Sequence, residues 1–196
     1  MSDYLDQDAQ LMLRFKNGDE ACFVELVKIH KQRVFAFAFR FLGNTADAED
    51  AAQEVFIKVY NAAGKYSVKA KFTTWLFTIT RNTCLNFLDK RNKKGIFVSL
   101  DEKSDSQEDS AGLQVADTKD PPPAELLMKN EQIQAVKKAL DSLPENQKTA
   151  VLLCRYEELS YEATAEIMGC SIKAVKSILH RAKLNLKEKL AVFLKF

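Results

Sequence analysis

Histidine is scarce in this chain: His30 and His180 are the two copies, separated by most of the sequence. That distance leaves no obvious start for a histidine-based metal centre or a nucleophile–histidine relay. The cysteines Cys22, Cys84, Cys154 and Cys170 are equally dispersed, and none forms a Cys-x-x-Cys pair. Each lies in an apolar helical context, which suits a reduced packing residue better than a zinc ligand or redox pair. The six glycines include no glycine-rich phosphate loop. No run approaches eighteen consecutive apolar residues, so no membrane insertion is expected. The opening Met1-Ser2-Asp3-Tyr4 is acidic and lacks the basic and apolar blocks of a signal peptide, so a cytoplasmic location is expected by default. Together these absences argue against an enzyme, with no catalytic residue, metal or cofactor expected.

What the chain does have is an ordinary globular composition, 46% apolar and 29% charged over 196 residues, enough for one large domain or two small ones. Net charge is only +2, but its distribution is uneven. Between Lys65 and Lys94 eight basic residues face the single acid Asp89, and between Ser171 and Lys189 six face Glu188. From Asp101 to Glu125 the balance reverses, with eight acids against two lysines. Two basic blocks separated by an acidic one suggest two anion-binding surfaces and an acidic connector.

The apolar periodicity is helical throughout the first ninety or so residues. Asn17-Gly18-Asp19 reads as a helix start. Phe23, Leu26, Val27, His30, Val34, Phe37, Ala38 and Phe41 then form one stripe that closes at Gly43, with His30 expected in the core. Asn44, Thr45 or Asp47 is placed to cap a second helix whose buried stripe is Ala48, Ala51, Ala52, Val55, Phe56 and Val59. A lysine-bearing loop from Lys65 to Lys71 leads to a third helix near Thr73 or Thr74, with Trp75, Leu76, Ile79, Thr83, Phe87 and Leu88 inward. The expected fold is all-α: a helical bundle over residues 1–94, an acidic flexible linker over 95–124, and a second helical domain over 125–196. The linker contains Ser104 to Ser110 and Pro121-Pro122-Pro123, too little apolar surface to offset its ordering entropy. Fully extended at roughly 3.3 Å per residue it would span up to about 100 Å.

The sharpest local pattern runs from Tyr161 to His180. Ala165 is small where two helices must approach, Gly169 supplies the positive φ of a tight turn, and Ser171 can cap the helix that follows. Val175 and Ile178 face inward, with Met168 and Cys170 closing the core. Ser171, Ile172, Lys173, Lys176, Ser177, His180 and Arg181 are left on or near the outer face. That is the plan of a DNA-binding helix-turn-helix, whose second helix enters a major groove. A helical hairpin with a solvated basic face is the competing reading.

Four segments resemble bacterial RNA polymerase sigma factors of the extracytoplasmic-function type. Asp47-Ala48-Glu49-Asp50-Ala51-Ala52-Gln53-Glu54-Val55-Phe56 is similar to their polymerase-binding motif, and Phe72-Thr73-Thr74-Trp75-Leu76-Phe77-Thr78-Ile79-Thr80-Arg81-Asn82 to the promoter-melting segment after it. Leu143-Pro144-Glu145-Asn146-Gln147 with Leu159-Ser160-Tyr161-Glu162 resembles the opening of their C-terminal domain, and Val175 to Lys183 their recognition helix. The order and spacing fit members that keep only regions two and four. Thr164 stands where the family often has Ile, Lys173-Ala174 where it has Gly-Thr, and Ile178 where it has Arg. These departures bear on promoter preference, and Thr164 is expected to loosen packing between the two short helices slightly.

The resemblance implies that Asp47, Glu49, Asp50, Gln53, Glu54 and Phe56 dock on core RNA polymerase. Residues 44–57 carry four acids and no base, which suits an arginine-rich partner and equally the macrodipole at a helix N-terminus. Lys65, Lys69, Lys71, Phe72, Thr78, Arg81, Asn82 and Asn86 would engage melting promoter DNA. The lysines would take phosphates and the asparagines base edges, with Phe72 as a stacking platform and Trp75 as either a stacking platform or core. Ser171, Ile172, Lys173, Lys176, Ser177, His180 and Arg181 would read the upstream element. The implied partners are core polymerase, promoter DNA and an anti-sigma factor, and the acidic linker is either a nucleic-acid mimic for the polymerase's RNA channel or a solvated tether. A transcriptional repressor or activator using the same helix-turn-helix, and a protein-only adaptor, are the other classes compatible with the pattern.

Overall fold

A computed structural model of the chain describes the backbone of residues 6–98 and 123–191 and the side chains of 6–93 and 131–191. The described residues form α1 (Gln7–Lys16), α2 (Glu20–Leu42), α3 (Thr45–Ala62), α4 (Phe72–Val98), α5 (Pro123–Asp141), α6 (Glu145–Val151), α7 (Tyr161–Met168) and α8 (Ile172–Lys189), with no strand among them.

Local chemistry sets most helix ends. α1 lies before the first start signal recognised in the sequence; the Ala9 amide donates to Asp6 Oδ1 at 2.8 Å, and Ala9, Met12 and Phe15 are buried. Of three cap candidates for α3, Asn44 takes the role, its Oδ1 accepting from the Asp47 amide at 2.8 Å. α4 runs unbroken to Val98 and α5 opens at Pro123, so helix extends at both ends into the stretch expected as linker. Residues 99–122 and both readings of the linker's role lie outside the described residues. Pro144 precedes α6 as its N-cap instead of taking its first turn. The Oγ atoms of Ser160 and Ser171 each accept an amide at 3.2 Å at the starts of α7 and α8.

Between α6 and α7 the chain makes a turn of π-helix, Leu152–Tyr156, in which the Glu157 amide reaches back to the Leu152 carbonyl at 3.1 Å. Thr164 is fully buried, and its hydroxyl lies 3.2 Å from the Cys154 sulfur, so this buried polar group has a partner. All four cysteines are free thiols.

Two of the cores belong to single units. In the N-terminal unit (α1–α4), Met12, Leu26, Val34, Val55, Val59, Phe72 and Leu76 pack together. In the C-terminal unit (α5–α8), Leu140, Leu143, Val151 and Ala182 do so. A third core crosses between the units, setting Phe37, Phe41, Phe77 and Cys84 against Leu152, Leu153 and Ile167. Full burial of a leucine stabilises by about 1.5–3 kcal/mol, so Leu152 and Leu153 supply much of the driving force for this contact. The ion pair at its edge, Arg33 Nε to Glu157 Oε2 at 3.1 Å, adds alignment more than net energy, because burying the carboxylate offsets the attraction.

His30 is buried in the N-terminal core, its Nε2 3.0 Å from Asp8 Oδ2 and its ring 5.4 Å from that of Phe72. Burial holds its pKa below the ordinary value of 6.5 against the opposing pull of Asp8.

Gly169 sits at φ +64° between α7 and α8, and a Cβ added there meets nothing within 4 Å. Gly169→Ala is therefore expected to cost backbone energy alone, about 1–2 kcal/mol. Gly169→Asn should cost less; urea unfolding midpoints of the two variants check the order.

Candidate nucleic-acid and partner interfaces

α8 presents the most complete surface. The capping of Ser171 and the inward burial of Val175, Ile178 and Ala182 fix the helix's rotation. Ser171, Ile172, Lys173, Lys176, Ser177, His180 and Arg181 are consequently all exposed. Lys176 Nζ lies 5.8 Å from the centre of the Tyr161 ring, which orders its stem against the first residue of α7. Ile178 faces the core, so a phosphate contact is not available from that position. Lys176 and His180 also border a groove of about 620 Å³, lined with them by Tyr161, Leu179, Lys183 and Leu186.

The α3 residues divide by geometry. Asp47 is engaged locally, accepting from Asn44 Nδ2 at 2.7 Å and lying 3.8 Å from Arg91 Nη1. Glu54 pairs with Lys58 at 2.7 Å, and Phe56 is half-buried against the N-terminal core. Glu49, Asp50 and Gln53 are exposed. They share a helical face with Ile57 and Tyr60, which are 59% and 47% exposed. These two apolar residues escaped the sequence reading because counting acids says nothing about exposed apolar neighbours; their spacing from Gln53, four and seven residues on, was the available signal.

The basic loop before α4 is anchored from within. Tyr66 is buried, its ring 4.9 Å from that of Trp75, and its carbonyl accepts from Lys16 Nζ at 2.8 Å. Lys65, Lys69 and Lys71 project to solvent from this fixed turn. Phe72 is a correction to the expected DNA-contacting set: at 1% exposure, packed among His30, Tyr66 and Trp75, it is core and offers no face to a base. Trp75 is partly buried in the same cluster, in line with the core alternative.

Further along α4, Asn82 and Asn86 are exposed one turn apart, whereas Arg81 is half-buried with its Nη1 3.2 Å from Asn82 Oδ1. Thr78 donates its hydroxyl to the Thr74 carbonyl at 2.8 Å and is half-buried. Lys58 was missed by the sequence reading. Its Nζ lies 3.0 Å from Thr83 Oγ1 as well as 2.7 Å from Glu54, so it bridges α3 to α4. Its spacing from Glu54 signals the ion pair, but nothing in the sequence signals Thr83.

Comparison with known proteins matches two segments of the chain to families: Sigma-70 region 2 over residues 26–94, and Sigma-70, region 4, over residues 133–186. The RNA polymerase sigma-H factor of Pseudomonas aeruginosa is 34% identical over 181 residues, covering 91% of each chain. The ECF RNA polymerase sigma-E factor of Escherichia coli is 30% identical over 177 residues, covering 90% of each. Among solved structures, the sigma factor RpoE of Bartonella quintana, in complex with the anti-sigma factor NepR, is 28% identical with a TM-score of 0.66, covering 87% of this chain and 97% of that one. CnrH in complex with the cytosolic domain of CnrY shares the fold at a TM-score of 0.69 and 19% identity, covering 95% and 99%.

The exposure of Lys176 and Arg181 on one face of α8 sets a test. Replacing either with Ala should weaken duplex binding by roughly 1–3 kcal/mol where the contact is to a base. A phosphate contact would instead lower the slope of log affinity against log salt by about 0.9. Titrations at several salt concentrations separate the two, and an unchanged affinity and slope would remove this face from the interface.

Proposed function

Since the chain belongs to the sigma-70 family, as an extracytoplasmic-function sigma factor carrying regions two and four, we propose a division of its surfaces among core polymerase, melting DNA and the upstream element. The protein is a promoter-recognising sigma factor that binds RNA polymerase. Its role is to deliver the enzyme to a start site; as an initiation factor it contributes no reaction of its own and works in the cytoplasm with polymerase. Functionally the chain divides into residues 1–94, a connector over 95–124, and residues 125–196.

α3 docks on polymerase through Glu49, Asp50 and Gln53, with Ile57 and Tyr60 giving the contact an apolar part. Acids suit an arginine-bearing helical partner, and partly exposed aromatic and aliphatic side chains supply the desolvated area that charge alone lacks. Asp47, Glu54 and Phe56 shape this face from behind: Asp47 closes the first turn, Glu54 holds Lys58, and Phe56 seats the helix on its core.

Promoter opening falls to the loop before α4 and the outer face of that helix. Unstacking costs a few kcal/mol per step, so opened bases must be held elsewhere. Lys65, Lys69 and Lys71 take phosphates, and Asn82 and Asn86 offer both donors and acceptors to base edges. Thr78 and Arg81, both half-buried, border this surface. α8 reads the upstream duplex from the major groove through Lys173, Lys176, Ser177, His180 and Arg181, with Ile172 near its N-terminal end and the Ser171-capped N-terminus placed to meet a phosphate. An anti-sigma factor is proposed as a partner because the Bartonella relative was solved with one.

The observation that carries this reading is the α8 face, basic and free of acids until Glu188, joined in one chain to the exposed acidic face of α3. Run-off transcription with purified core polymerase, with and without the protein, tests it: new start sites are expected only when the protein is present. Asp50→Ala together with Gln53→Ala should reduce co-elution with core polymerase at least tenfold and leave the fold intact. Unchanged co-elution would remove α3 from the docking surface.

A further inference from the structure

We propose that Lys16, in the last turn of α1, is a positioning residue for promoter opening: its ammonium holds the Tyr66 carbonyl and thereby sets where Lys65, Lys69 and Lys71 stand. The inference rests on the reading of residues 65–71 as the loop that holds opened strand.

That loop carries three lysines and no acid in seven residues. Its charges repel one another, so they give it no reason to keep one shape. Tyr66 and Phe72, both buried with their rings 6.3 Å apart, pin its two ends. Burial of those rings fixes two points and leaves open the plane of the peptide that follows Tyr66. Lys16 Nζ donates to the carbonyl of that peptide at 2.8 Å, across 50 residues of sequence. Among the described residues, the other hydrogen bonds of residues 66–70 are local: the Tyr66 amide donates to the Ala63 carbonyl at 3.0 Å and the Lys69 amide to the Ser67 carbonyl at 2.9 Å. A bond from an ammonium is charge-assisted and stronger than a neutral one, so Lys16 decides the direction in which the lysines leave the core.

α1 is a firm post for this bond. Asp8 Oδ2 lies 3.0 Å from His30 Nε2 on α2, and Phe15 stacks on Phe23 with ring centres 4.9 Å apart. Just past the helix end, Arg14 Nη2 reaches Asp19 Oδ2 at 2.6 Å. A lysine present only to suit the helix dipole would serve from its own last turn. This one crosses to another element instead. Without the bond both ring anchors remain, and the lysine-bearing peptide is left to turn. The loss then falls on holding opened strand, since polymerase docking and duplex reading use α3 and α8.

The test uses the full chain with core polymerase on a promoter mapped by run-off transcription. The intact duplex is compared with the same fragment carrying mismatches that pre-open its start region. Lys16→Met should lower initiation from the duplex about tenfold and stay within roughly twofold of wild type on the pre-opened template. Co-elution with core polymerase should be unchanged. Lys16→Arg keeps a charged donor and should restore initiation from the duplex. Lys65→Ala, Lys69→Ala and Lys71→Ala combined should show the same split between templates. Should Lys16→Met lose helix content by circular dichroism, Lys16→Gln, which removes the charge and keeps a polar side chain, carries the same expectation. If the triple variant initiates from the duplex as wild type does, the loop reading falls and this proposal with it. If the triple variant shows the split while the folded Lys16 variant matches wild type on the duplex, or loses both templates alike, the role of Lys16 alone is overturned.

Discussion

α2 must bury apolar side chains towards every neighbour at once, and that requirement organises the molecule. Its stripe from Cys22 through Leu26, His30, Val34, Phe37 and Phe41 is buried along the helix. α1, α3 and α4 all pack on it, and its C-terminal half also meets the turn after α6. The helix is amphipathic, with Glu25, Lys28, Lys31 and Gln32 exposed, so this one stripe has to serve every neighbour. Its burial leaves α3 free to turn Glu49, Asp50 and Gln53 outward, and it sets Phe72 and Trp75 beneath the basic loop. The positions of the proposed polymerase and melting surfaces thus follow from one packing constraint.

The C-terminal unit solves a different problem with shorter pieces. α7 has only eight residues, too few to be stable alone. Ser160, Gly169 and Ser171 fix its ends, while Ala165, Ile167 and Val175 supply packing between it and its surroundings. The recognition face is exposed because the opposite face is committed. Val175, Ile178 and Ala182 leave the helix one rotation, and the basic residues take what is left.

Much of this was legible in the sequence because periodicity reports which face of a helix is buried. The α2 stripe, the turn at Gly169, the cap at Ser171 and the outward face of α8 could all be read that way. Periodicity does not report what a buried face is buried against. Phe37 read as core of its own bundle, although it also meets Leu152 and Leu153 of the other unit. The same limit explains Phe72, whose place in the promoter-melting motif suggested a stacking platform while its neighbours His30 and Tyr66 made it core. α1 escaped because a ten-residue helix shows fewer than three turns of periodicity, and the π-turn because its widened hydrogen bonding has no compositional mark.

That turn carries a consequence for how such chains diverge. A π-turn holds one residue more than the α-helical turn it replaces, so everything after it is rotated by about 100° relative to a regular helix. Here the extra residue aims Tyr156 and Glu157 at α2 while the caps of α7 and α8 lie downstream of it. A kindred chain shortened by one residue within Leu152–Tyr156 would keep its helix-turn-helix and swing these two side chains off the neighbouring unit. Gain or loss of a single codon can therefore change how the two halves associate without touching any residue that reads DNA.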